Sequence, residues 1–91
     1  MSQRSWNPTA RQQEVLRLLA DKGPSTAQDI EQAGLGIGAT TAHSIFRSFG
    51  ARGLIDSATA RLVNGRYVIA VALTRAGRDL VSDLRKESGG A

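Results

Sequence analysis

The side chains best equipped for chemistry lie close together. Thr40, Thr41, His43, Ser44 and Arg47 crowd one stretch, and at about 3.6 residues per turn Thr40, His43, Ser44 and Arg47 share one face of a helix. Opposite them, Ala42, Ile45, Phe46 and Phe49 recur at i, i+3, i+4 and i+7 as an apolar stripe. The polar face carries hydroxyls, an imidazole and a guanidinium, and no carboxylate. A solvated helix face ordinarily mixes glutamate with lysine, whereas this set suits hydrogen bonding to base edges and phosphates.

Covalent and metal chemistry are poorly supplied. The chain has no cysteine and one histidine, so thiolate zinc sites, cysteine nucleophiles and histidine-based triads cannot be assembled. No carboxylate pair accompanies His43 in the pattern, and no enzyme, metal or cofactor is expected. Gly34, Gly36 and Gly38 alternate like a phosphate loop, but no strand precedes them and no Lys-Ser/Thr pair follows. Twelve basic residues against eight acidic ones give a net charge of +4 in 91 residues. That balance fits a polyanionic partner without requiring one. All but Lys22 and Lys86 of the basic residues are arginine, which favours planar, bidentate contacts, although an arginine-rich codon bias would produce the same count.

Elements must hold the polar face in place. Asn7-Pro8 is expected to open a first helix over residues 8–22, with Val15, Leu16, Leu18 and Leu19 inward and Gly23-Pro24 as its stop. A second helix over 27–33 is capped by Ser25 (with Gln28) or Thr26 (with Asp29) and buries Ala27, Ile30 and Ala33. The third helix, over about 39–52, carries the polar face. Beyond Gly53 the period changes to two. Alternation from Ala58 to Val63 and from Arg66 to Leu73 brackets Asn64-Gly65, a strong signal for a type I′ hairpin. This register pairs Val63 with Arg66 and Arg61 with Val68, placing Arg61 and Arg66 diagonally on one face. Leu62, Tyr67, Ile69, Val71 and Leu73 are expected to face the core. Thr74 then caps a fourth helix over 75–86 with Ala76, Leu80, Val81 and Leu84 inward.

Three helices, a hairpin and a closing helix make an α+β, mainly α, winged helix-turn-helix. The expected division is an N-terminal arm (1–7), the domain (8–87) and a flexible tail (88–91). The longest wholly apolar run, Val68 to Leu73, is far shorter than the roughly 20 residues of a membrane span. No secretory signal is visible at the start, so a cytoplasmic location without membrane contact is the default.

The residues resemble a known family at several points. Leu35-Gly36-Ile37-Gly38-Ala39-Thr40-Thr41-Ala42, the Gly53-Leu54-Ile55 exit, and Leu73-Thr74-Arg75-Ala76-Gly77-Arg78 after the hairpin look like MarR-type winged-helix transcriptional regulators. The likeness runs from Pro8 to Leu84. It departs where that family usually has serine at the position of Gly38, and in lacking the long terminal helices that build the family's dimer. The resemblance implies base-edge or phosphate contacts by Thr40, Thr41, His43, Ser44 and Arg47, and backbone or minor-groove contacts by Arg61, Asn64 and Arg66. It implies a sequence-specific regulator that binds double-stranded DNA, the third helix in the major groove and the wing (about 58–73) on the flank. The competing expectation is a winged-helix adaptor for a protein such as RNA polymerase or a host factor. A homodimer formed through the C-terminal helix or the Trp6 segment is a further expectation.

Overall fold

Helix α1 (Ala10–Lys22) is started by Thr9, not by Asn7. The Thr9 hydroxyl accepts from the Gln12 N–H at 3.2 Å, and the Gln12 side-chain carbonyl accepts from the Thr9 N–H at 2.8 Å. This reciprocal box satisfies two N–H groups at the start of the helix, which places that start beyond Pro8. The computed structural model describes residues 6–89, with side chains through Glu87. Most of the expected arm, residues 1–5, and the end of the expected tail, residues 90 and 91, lie outside the described residues.

Of the two caps open for the second helix, Thr26 with Asp29 is the one used. Thr26 Oγ1 accepts from Asp29 N at 3.1 Å, Asp29 Oδ2 accepts from Thr26 N at 2.9 Å, and α2 runs Ala27–Gln32. Ser25 is occupied elsewhere. Its backbone exchanges hydrogen bonds with Val71 at 3.0 and 2.9 Å, so the segment before α2 acts as a one-residue strand on the outer edge of the hairpin. Ala33 ends α2 as an exposed cap and does not join the buried face.

Helix α3 (Ala39–Ala51) buries Ala42, Ile45 and Phe49, and Phe46 packs half-buried against the same core. Strands β1 (Ile55–Val63) and β2 (Arg66–Leu73) pair antiparallel, with Val63 opposite Arg66 and Arg61 opposite Val68 as the two-residue loop requires. Asn64 and Gly65 adopt φ of 51° and 77°, the left-handed pair of a type I′ turn. The strands are longer at the base than the alternation indicates, because an irregularity between Ser57 and Thr59 interrupts it.

The expected inward face of the hairpin turns inward only at its base. Leu62, Tyr67 and Ile69 are 63%, 77% and 53% exposed, whereas Ala70 on the other face is fully buried. The base of the hairpin, at Ile55, Leu73 and the half-buried Val71, joins the core. The distal half extends past it.

Thr74 links the hairpin to α4 (Arg75–Gly89). Its hydroxyl donates to Gly53 O at 2.6 Å and accepts from Gly77 N at 3.2 Å, so one side chain caps α4 and ties it to the α3 exit. Gly77, not Ala76, takes the inner position. A methyl group there would fall well inside contact distance of the Leu54 carbonyl oxygen and press on Leu73, so only glycine lets the helix approach that backbone. Leu80, Val81 and Leu84 complete a core built on Val15, Leu16, Leu19, Ile30 and Phe49. The helix continues beyond residue 86 to Gly89, into the expected tail. Among the described residues, no helix is long and apolar enough to cross a membrane.

Candidate nucleic-acid interface

The buried stripe of α3 sets the direction of its opposite face. With Ala42 and Phe49 fully buried and Ile45 nearly so, Thr40, Thr41, His43, Ser44 and Arg47 are all exposed. The helix therefore brings five of the eight sequence-predicted site residues onto one outward surface. Arg47 makes no hydrogen bond or ion pair with another described residue, so its guanidinium is available to a partner.

The start of α3 is built differently from the sequence expectation. Gly38 offers no capping side chain, and the Glu31 carboxylate reaches over from α2, accepting from Ala39 N at 3.1 Å. An acid at a helix N-terminus is favourable and supplies the acceptor that serine would have provided. It also puts a negative charge beside a surface otherwise free of acids. On the other side of the connection, Arg11 of α1 donates to Gly36 O at 2.9 Å and holds the α2–α3 turn against the first helix. Neither contact is legible from local sequence.

The hairpin separates its two arginines. Arg61 donates to Asp29 Oδ2 and to Pro24 O, each at 2.6 Å, and so straps β1 to the beginning of α2. The pair is partly exposed, at 43% and 36%, and an ion pair of that kind contributes about 0–1 kcal/mol; its effect is positional. Arg66 and Asn64 lie exposed at the tip, and Arg66 has no partner among the described residues. Arg61, Asn64 and Arg66 are thus not equivalent: one is engaged inside the molecule and two face outward.

Trp6 packs edge-on against Phe49, with ring centroids 6.4 Å apart and an interplanar angle of 76°. The Arg52 guanidinium lies 4.3 Å from the centre of the indole. The Trp6 segment therefore closes over the C-terminal end of α3. Trp6 is half-buried, and Leu80, Val81 and Leu84 of α4 lie in the chain's own core.

A tight turn between α2 and α3, a hairpin after α3 and a helix that returns beneath it define a winged helix-turn-helix. Solved regulators of similar fold share this arrangement. It superposes on NMB1585, a MarR family regulator from Neisseria meningitidis, with a TM-score of 0.70 and 19% identity, covering 91% of this chain and 56% of that one. ZitR from Lactococcus lactis matches at a TM-score of 0.76 and 21% identity, with 99% of this chain and 59% of that chain covered. The adhesin competence repressor AdcR from Streptococcus pyogenes matches at 0.76 and 21%, with 98% and 62% covered. The chain thus spans about three fifths of the length of these proteins. No protein-family model and no curated protein matches it in sequence.

Proposed function

We propose that the chain is a sequence-specific transcriptional regulator that binds double-stranded DNA, with α3 in the major groove and the β1–β2 hairpin on the flanking backbone or minor groove. One observation carries this reading: the exposed face of α3 presents Thr40, Thr41, His43, Ser44 and Arg47, the last without a partner among the described residues, and no carboxylate stands among them. Short hydroxyls and a guanidinium in this spacing match the donors and acceptors of base edges, and Arg47 has the geometry for bidentate contact with guanine. Arg66 and Asn64 at the hairpin tip supply phosphate or minor-groove contacts. The fold likeness to solved regulators supports the same assignment.

A single winged helix reads only a few base pairs, so two copies on half-sites one helical turn apart complete the proposal. Because Leu80, Val81 and Leu84 are buried in the core, a pairing through α4 would use its exposed polar face. The test is selection of bound duplexes from a random pool, followed by anisotropy titration. Enrichment of a palindromic site bound with a steep salt dependence supports the reading; absence of any duplex binding at low salt, with co-purification of a protein, replaces it with the adaptor role.

A further inference from the structure

We propose that Leu62, Tyr67 and Ile69 form an apolar contact surface for the sugar walls of the minor groove, so that the hairpin grips DNA by non-ionic packing as well as by Arg66. The inference rests on the DNA-binding reading above and names the role of the wing within it.

The three side chains are the exposed large hydrophobic groups among the described residues. The register places Leu62 directly opposite Tyr67 and Ala60 opposite Ile69, so they form one continuous face. The opposite face is the one tied down, through Arg61 on Asp29 and Pro24. Beyond Val71 and Leu73 at its base, the apolar face is left uncovered by the other described residues. A contiguous apolar surface kept open in this way marks a contact site.

Charge and dimensions select the partner. From Ser57 to Leu73 the hairpin holds no carboxylate, and Arg66 stands beside Tyr67 without a partner among the described residues, which suits a polyanion. The Leu62–Tyr67 pair lies two positions behind the Asn64-Gly65 turn, about 7 Å along the strands at the usual rise. The minor groove is about 7.5 Å deep. With Asn64 and Arg66 at the groove floor, the apolar pair is level with its rim, where deoxyribose offers carbon rather than phosphate. Minor-groove proteins combine polar readers with apolar side chains in the same way.

The test uses the full chain and two duplexes: one selected by the wild type with its flanks intact, and the same site trimmed to the bases under α3. The variant Leu62→Ser/Tyr67→Ser is expected to bind the long duplex roughly tenfold more weakly at every salt concentration, the effect of leaving two such side chains wet. Its slope of log affinity against log salt stays at the wild-type value, and it binds the trimmed duplex like the wild type. Arg66→Ala, by contrast, flattens the slope. An unchanged affinity on the long duplex, an equal loss on both duplexes, or a changed slope overturns the proposal. So does a variant that turns a wild-type dimer into a monomer in sedimentation, because the face would then be a protein contact. Since all three residues are exposed, the melting temperature serves as a folding control. If the wild type binds no duplex at all, the DNA-binding reading itself fails. If Arg47→Ala weakens binding while the serine variant matches the wild type, only the wing proposal does.

Discussion

A single carboxylate oxygen, Asp29 Oδ2, accepts both from the N–H of Thr26, at 2.9 Å, and from the Arg61 guanidinium, at 2.6 Å. The group that caps α2 is therefore also the anchor of the wing. Arg61→Ala is expected to change global stability by no more than about 1 kcal/mol, because the pair is partly exposed. It should nevertheless weaken DNA binding by releasing the hairpin. Urea denaturation paired with anisotropy separates the two effects; a loss of stability that fully accounts for a loss of binding would contradict the strap.

Thr26 is 3% exposed and its hydroxyl accepts from Asp29 N. Thr26→Ala removes one half of the capping box and leaves that N–H without its acceptor. A destabilisation of about 1 kcal/mol is expected, measured as a shift of the urea midpoint with an unchanged slope. Asp29→Asn should also loosen the wing, giving a larger effect on binding than Thr26→Ala.

Gly77 faces the Leu54 carbonyl with no room for a methyl group. Gly77→Ala forces α4 away from the α3 exit and disturbs the Thr74 hydrogen bonds around it. The expected cost is about 3 kcal/mol or more, in the range of overpacking combined with broken backbone contacts. Ala76→Ser, one residue earlier and exposed, should be close to neutral, and thermal melting of the two variants side by side checks the contrast.

Arg47→Ala is expected to weaken binding to the selected site by roughly 1–3 kcal/mol and to relax base preference beneath α3. Arg66→Ala should weaken binding to all sequences alike and lower the salt slope by about one counterion. Titrations of both variants against selected and random duplexes at several salt concentrations distinguish these patterns. The same loss from both variants on random DNA would contradict the separate assignments.

Trp6 is the single tryptophan of the chain, and it is held between Phe49 and Arg52. Arg52→Ala removes the cation from the indole face and is expected to cost about 0.5–1 kcal/mol. The intrinsic fluorescence should shift with it, since the indole loses its cover. An unchanged emission spectrum would show that the contact does not persist in solution.

Local chemistry alone settled a large part of this protein. The period of Ala42, Ile45 and Phe49 determined which face of α3 turns outward, because a helix repeats every 3.6 residues wherever it is placed. Asn64-Gly65 specified the hairpin and its register, because a type I′ turn admits few other residues. The start of α2 was narrowed locally to Ser25 or Thr26, and the pairing of the Ser25 backbone with Val71 left Thr26 with Asp29 as the cap. What these signals could not carry were contacts between residues distant in sequence: Arg61 on Asp29, Glu31 on the start of α3, Arg11 on Gly36 and Trp6 on Phe49. Nor could alternation say which face of the hairpin meets the body. Period two is the same for a face that is buried and for one that is exposed. Only the packing of Gly77 against Leu54 and the strap from Arg61 to α2 decided that Leu62, Tyr67 and Ile69 stand in the open.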